Sequence, residues 1–391
     1  MLTSLAILFI TGLAAAWLAK KAKLPPLLGM LLAGILIGPQ CLNWLDGSLL
    51  GISQQLRQVA LVIILLRAGL NLNLDDLKKV GRPAVLLCFL PAVLEITGMV
   101  LLAPPLLQIS VPEALLLGSV IAAVSPAVIV PNMLKLMEEG YGTKQGIPQM
   151  ILAGASVDDV FVIVLFTCFT GMVQTGSFET GTLLRIPTSI LLGIGAGILL
   201  GLLLHWFWKK VTMATAKKIL VCLSVSFFLL AAENALTGAI GFSGLIAIMT
   251  LGLLLKQKNG AVAEELAGGF SKLWTGAEIL LFVLIGAAVE IQYAVTTGPV
   301  TLLLLCGVLL FRMAGVWLCL LKTKLNRKER LFAMFAYTPK ATVQAAIGAI
   351  PLSLGLSCGN AILSAAVIAI LVTAPLGTIL IDRTYKRFLT K

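Results

Sequence analysis

Two adjacent carboxylates, Asp158 and Asp159, stand near the middle of an apolar stretch, residues 147–170, that is long enough to cross a bilayer as a helix. An ionised aspartate at the bilayer centre costs about 2.5–3.5 kcal/mol even on the lenient insertion scale. A pair of them therefore needs a cation, a proton or a water-filled cavity close by. Successive helical residues point about 100° apart, so one carboxylate can face a cavity while its neighbour turns toward another helix. The plainer alternative is a pair held only by interhelical hydrogen bonds.

Three further charges, Glu95, Arg312 and Lys340, also fall inside apolar stretches. An arginine–carboxylate fork offsets much of the cost of burying both groups, which makes Arg312–Glu95 the preferred tie and Arg312–Asp158 the competing one. Two stretches are interrupted. One breaks at Ser125 and Pro126, with Pro131 about one turn later; the other breaks at Thr338 and Pro339, with Lys340 next in line. Prolines in mid-membrane free backbone carbonyls, which is tolerated only where protein, water or an ion satisfies them. Interruptions at matching positions of two halves are the strongest sequence pointer to a transporter's binding site.

Such residues need a scaffold of membrane helices, and the composition provides one. With 59% hydrophobic and 12% charged residues, against about 25% charged in ordinary soluble domains, the chain reads as an all-α polytopic membrane protein. We count about thirteen spans, near 2–19, 25–38, 57–72, 83–107, 112–134, 147–172, 186–208, 219–236, 239–255, 273–291, 296–321, 331–354 and 358–381. The net charge of +12 does not point to nucleic acid, because most of the 29 Lys and Arg residues lie in alternate loops and the C-terminal tail. By the positive-inside rule the N-terminus faces out and the C-terminus faces the cytoplasm, as an odd number of spans also requires. The first span lacks a basic n-region and a cleavage site and reads as a retained helix. The seven cysteines fall mostly in apolar stretches without metal-ligand spacing, so free buried thiols are expected.

The spans organise as repeats. Spans one to six (residues 2–172) form one repeat, span seven (residues 186–208) a linker, and spans eight to thirteen (residues 219–381) the second repeat. Span five then matches span twelve, and span four matches span eleven. The linker makes the offset between matching spans odd, so the second repeat starts from the opposite side of the membrane and is inverted. Residues 1–391 read as one transmembrane transporter unit.

Other polar groups carry weaker signals. Gly29, Gly34 and Gly38 form a small-residue face suited either to oligomer contacts or to internal packing. Arg67 is close enough to a cytoplasmic end to snorkel, and Asp75 and Asp76 read as solvated loop charges. His205, the only histidine, reads as an interfacial structural residue. Glu233 and Asn234 end a span, where they could line the outer funnel, with solvated ends as the plainer reading, and Glu278 is expected in the first turns of span ten, where the helix dipole favours a carboxylate.

The motifs LLRAGL around Arg67, SPAVIVP from Ser125, GYGTKQGIP from Gly140, ASVDDVFVI around the aspartates and TPKATVQAAIG from Thr338 together resemble the monovalent cation/proton antiporter superfamily. The nearest resemblance is to its sodium/proton antiporter branch that includes the animal NHA exchangers, over residues 60–350. It implies a dimeric thirteen-helix transporter whose discontinuous helices five and twelve cross. The implied core comprises helices four to six and eleven to thirteen, with a dimerisation domain from the remaining helices. It also implies Asp159 as the principal ion and proton carboxylate, with Asp158 as its helper. Ser125 and Thr338 would lie by the crossing, and Lys340 would offset helix-end charge there. The best-studied bacterial members carry a titratable lysine where this sequence has Arg312, which cannot release a proton; the animal-type branch implies the Arg312–Glu95 tie instead.

The expected chemistry is competition for one carboxylate. A proton or a monovalent cation neutralises the site, and only a neutralised core crosses an apolar environment cheaply, so exchange follows without covalent chemistry and without a cofactor beyond the transported ions. Carboxylate, hydroxyl and freed carbonyl oxygens suit Na⁺ or Li⁺. The alternatives are a K⁺/H⁺ antiporter and a sodium-coupled symporter of an organic anion. A symporter would want a basic or amide-rich cavity and has no need of paired carboxylates. An intramembrane aspartyl protease is excluded, because its two aspartates must meet from different helices. The expected partners are monovalent cations, protons, the bilayer of the cytoplasmic membrane and a second copy of the chain.

Overall fold

Lipid offers no partner to a backbone N–H or C=O, so a chain this apolar must satisfy its peptide groups within helices. The computed structural model describes residues 1–72, 81–175, 180–236 and 242–391, and among them every regular element is α-helical. Nine helices among the described residues are long and apolar enough to cross a membrane, with shorter apolar helices at Pro26–Ile37 and Thr342–Ser353. Large apolar side chains such as Ile10, Leu191, Phe228 and Leu310 are exposed, as the hydrocarbon of a bilayer permits. Asp75 and Asp76 lie outside the described residues.

The chain divides into two compact units. One comprises Met1–Ser53, Asn73–Phe169 and Phe282–Lys391, and the other Gln54–Leu72 and Thr170–Leu281. In the second unit, helix Thr180–Lys210 packs closely on Gly244–Lys258 because Gly193, Gly197 and Gly201 present no side chain to it. Helix Gly260–Ala288 begins well before the expected residue 273, so Glu278 is far from its first turn. The dipole explanation for Glu278 does not apply. Glu278 is instead half-buried well along the helix, and Arg67 is half-buried on helix Ser53–Asn71.

In the first unit the glycine face is used for internal packing. A Cβ at Gly29 would overlap the Ala15 carbonyl, one at Gly34 the Val283 carbonyl, and one at Gly38 would lie 2.9 Å from Ala287 Cα. These are backbone atoms that no rotamer change can move. Gly34→Val is therefore expected to destabilise by about 1–3 kcal/mol or more through overpacking. Gly47→Ala, with nothing within 4 Å of the added carbon, is the matched control. Scanning fluorimetry in detergent checks this, and equal melting of the two variants would refute the close packing.

Two interruptions shape this unit. Helix Val111–Ala122 opens with a Ser110/Glu113 capping box and stops at Ala123–Ser125, where Ala123 and Ser125 are extended. Pro126 then begins helix Pro126–Glu139 at a position where a missing N–H costs no helical bond. The break thus lies in the extended residues, and Pro131 is carried inside the second half-helix. Helix Arg327–Ala336 likewise stops before Thr338, and helix Thr342–Ile347 restarts after Ala341.

The last helix, Gly359–Phe388, packs on the second interruption and on both half-helices of the first. Gly377 lies directly against Pro339, leaving no room for a Cβ, and Thr373 Oγ1 accepts the Lys340 N–H at 2.9 Å. Before its start, Ser357 Oγ donates to Glu113 Oε1 at 2.7 Å. Near its other end Lys135 pairs with Asp382 at 3.1 Å, Tyr385 donates to Glu139 at 3.0 Å, and Gly142 N donates to the Thr390 carbonyl at 2.7 Å.

Candidate functional site

Glu95, on helix Leu90–Leu107, and Arg312, on helix Ile291–Cys319, are completely buried, as is Asp158 on helix Ile147–Thr175. The arginine joins the other two. Its Nη1 lies 2.7 Å from Glu95 Oε2 and its Nη2 3.2 Å from Asp158 Oδ2. The two pairings weighed from sequence are therefore not alternatives, because one planar guanidinium serves both carboxylates. Its remaining donors go to backbone: Nε to the Tyr337 carbonyl at 2.6 Å, and Nη1 also to the Ala122 carbonyl. Each of those carbonyls belongs to a residue at the edge of one interruption.

Lys340 stands between helices Arg327–Ala336 and Thr342–Ile347, at the second interruption. Its Nζ lies 2.7 Å from Glu95 Oε2, the same oxygen that Arg312 holds. One carboxylate oxygen thus binds two cations, and all three groups are fully or almost fully buried. Removing any member strands a charge in a medium that solvates it poorly.

The interruptions meet through backbone. Ser125 N donates to the Pro339 carbonyl at 2.9 Å, and Val124 N donates to Asp158 Oδ2 at 2.8 Å. Asp158 is therefore fixed through one oxygen by a guanidinium and a peptide N–H. Its other oxygen, Oδ1, has no hydrogen-bond partner among the described residues, and the same holds for Asp159 Oδ1 and Ser125 Oγ, all of them buried. Asp159 is the less enclosed aspartate, 7% exposed against 0% for Asp158. Thr338 is buried beside Pro339, but its hydroxyl donates to the Phe335 carbonyl at 2.9 Å and makes no bond to either aspartate.

Sequence reasoning passed over three contributors. Gln344 bridges the two interruptions, Thr373 caps the Lys340 N–H, and Tyr337 supplies a carbonyl to Arg312 while its ring lies 5.5 Å from the guanidinium carbon. The available signal was Gln344 itself, an amide within an otherwise apolar run. Gly154 carries a second signal, since any Cβ there would overlap the Tyr337 hydroxyl.

A buried charge network at two helix interruptions, in a chain of membrane helices, defines a transporter and not an enzyme. The sodium/hydrogen exchanger transmembrane family model matches residues 5–387. The chain is 34% identical to mouse sodium/hydrogen exchanger 9B2 over 391 residues, covering 94% of this chain and 69% of the relative. It is 35% identical to human sodium/hydrogen exchanger 9B2 over 395 residues, covering 96% and 72%. The solved structure of the sodium proton antiporter MjNhaP1 from Methanocaldococcus jannaschii is similar at a TM-score of 0.82 and 22% identity, with 99% of this chain and 98% of that one covered. The chain belongs to the sodium/hydrogen exchanger family, within the monovalent cation/proton antiporter superfamily. It is a multi-pass membrane protein.

Proposed function

We propose that the chain exchanges Na⁺ or Li⁺ for H⁺ across the cytoplasmic membrane by alternating access, with cation and proton competing for Asp159 and Asp158. The observation that carries this reading is the group of buried oxygens without a hydrogen bond among the described residues, Asp158 Oδ1, Asp159 Oδ1 and Ser125 Oγ. A buried polar atom is costly when unpaired, and hard oxygen donors of this kind suit a small monovalent cation or a proton. Thr338 could join them only by its lone pairs, since its proton is committed to Phe335.

The charge balance supports the competition. Glu95, Asp158 and Asp159, if ionised, carry three negative charges against the two positive charges of Arg312 and Lys340. One proton or one monovalent cation removes the remaining charge, and a neutral core moves through an apolar environment at far lower cost than a charged one. Arg312 retains its proton throughout, so proton coupling falls on the aspartates. One-for-one exchange would then carry no net charge. No cofactor takes part beyond the transported ions.

The finer architecture belongs to the same reading. The interrupted helices are the crossed pair of two inverted repeats in a thirteen-span chain. The N-terminus lies outside and the C-terminus in the cytoplasm, two copies form a homodimer, and the role is pH homeostasis. Core and dimerisation domain follow the helix assignment that the family resemblance implied.

The test uses proteoliposomes with an acidic interior and a pH-sensitive dye. Addition of external Na⁺ or Li⁺ is expected to drive proton efflux, and choline is not. Efflux with K⁺ as strong as with Na⁺ would replace the reading by K⁺/H⁺ antiport. Silence toward every inorganic cation, from folded protein, would overturn it in favour of a symporter.

A further inference from the structure

A half-helix that stops in mid-membrane points its last carbonyls, the negative end of its dipole, toward whatever lies at the break. Such carbonyls are the ordinary place for a transported cation to find ligands. In this protein they are already taken. Gln344 Nε2 donates to the Ile121 carbonyl at 3.1 Å and to the Ala123 carbonyl at 2.7 Å, while Arg312 holds the carbonyl of Ala122 between them. Gln344 Oε1 in turn accepts the Ala341 N–H at 2.8 Å, at the start of helix Thr342–Ile347. The side chain is 1% exposed. Both amide hydrogens and the amide oxygen are thus used, and the end of one interrupted helix is tied to the beginning of the other.

We propose that Gln344 is a positioning residue that keeps the Ile121 and Ala123 carbonyls out of the cation's coordination shell, and so narrows the site toward small monovalent cations. The inference rests on the exchange reading above. The oxygens left for the cation at this break are Asp158 Oδ1, Asp159 Oδ1 and Ser125 Oγ, which have no hydrogen-bond partner among the described residues. Few, charged ligands favour a small ion that is dehydrated for a strong field. Additional neutral carbonyls enlarge the shell and favour a larger ion, because selectivity follows ligand number and cavity size.

The variants Gln344→Met and Gln344→Glu test this in proteoliposomes. Methionine keeps the length and removes both donors. Glutamate keeps the acceptor for Ala341 N and donates at most one hydrogen bond. Gln344→Met is expected to lower the preference for Na⁺ over K⁺ by ~10-fold, read as the ratio of apparent KM values. Gln344→Glu should fall between Met and parent. A purely structural role would lower kcat for both ions together, and that result, or an unchanged KM ratio in both variants, overturns the proposal.

A measurement on the unaltered protein stands independently of whether the variants assemble. In a structure determined with Na⁺, the ion is expected against Asp158, Asp159 and Ser125 oxygens and away from the Ile121 and Ala123 carbonyls. Coordination by either carbonyl overturns the role of Gln344 while leaving exchange intact. Absence of Na⁺ from the aspartates, together with no cation-driven proton movement, overturns the exchange reading itself and this inference with it.

Discussion

Asp159→Asn is expected to abolish cation-driven proton movement, a loss of at least ~100-fold, from a protein that melts no earlier than the parent. The amide preserves the size and shape of the carboxylate but neither titrates nor carries the charge that holds a cation. Stability should be unaffected or slightly improved. Asp159 is the aspartate that neither Arg312 nor a peptide N–H engages, and its ionised form stands beside the like charge of Asp158. The same substitution at Asp158 differs in kind, because Asp158 Oδ2 holds both Arg312 and Val124 N. Dye-based exchange and melting curves on the two variants separate the cases. Retained Na⁺-dependent proton movement in Asp159→Asn would end the competition mechanism.

Glu95→Gln is expected to cost about 3–5 kcal/mol of stability, because it strands two buried cations that converge on one oxygen. Arg312→Gln should also destabilise, as it removes the cation from Asp158 and leaves the Tyr337 and Ala122 carbonyls without a donor. The informative comparison is a double-mutant cycle. Lys340→Met should be markedly less harmful in the Glu95→Gln background than alone, since the oxygen it pairs with is already altered, and coupling of about 0.5–3 kcal/mol is the scale for residues in contact. Thermal melting of the two single variants and the double variant measures this. Strict additivity, or a Glu95→Gln protein that melts like the parent, would show that the shared-oxygen network is not formed.

What could be read from the sequence was whatever lipid makes expensive. Asp158, Asp159, Glu95, Arg312 and Lys340 were conspicuous because a charge in an apolar stretch demands an account, and the interruptions were conspicuous through Pro126 and Pro339. Sharing was not legible. Nothing in the order of residues says that Glu95 Oε2 receives both Arg312 and Lys340, since that depends on how three helices and an interruption are arranged in space. Gln344 was missed because an amide costs far less in a membrane than a charge and attracts less notice. The early start of helix Gly260–Ala288 was missed for the opposite reason. Glu264, Glu265 and Lys272 on its first turns break the apolar pattern without breaking the helix. The Gly29, Gly34 and Gly38 face was legible as a place of close approach, but not what approached it, since the partners lie elsewhere in the chain.

The order in which the network's members are synthesised has a consequence for biogenesis. Arg312 follows Asp158 by 154 positions, and Lys340 follows Glu95 by 245. At about 5–20 residues per second, the acids wait on the order of 10–50 s for their bases. During that interval the helices carrying Glu95 and Asp158 enter the bilayer with no counter-charge from this network. They must therefore be sheltered until the second half of the chain arrives, and the charge network is completed by the segment made last.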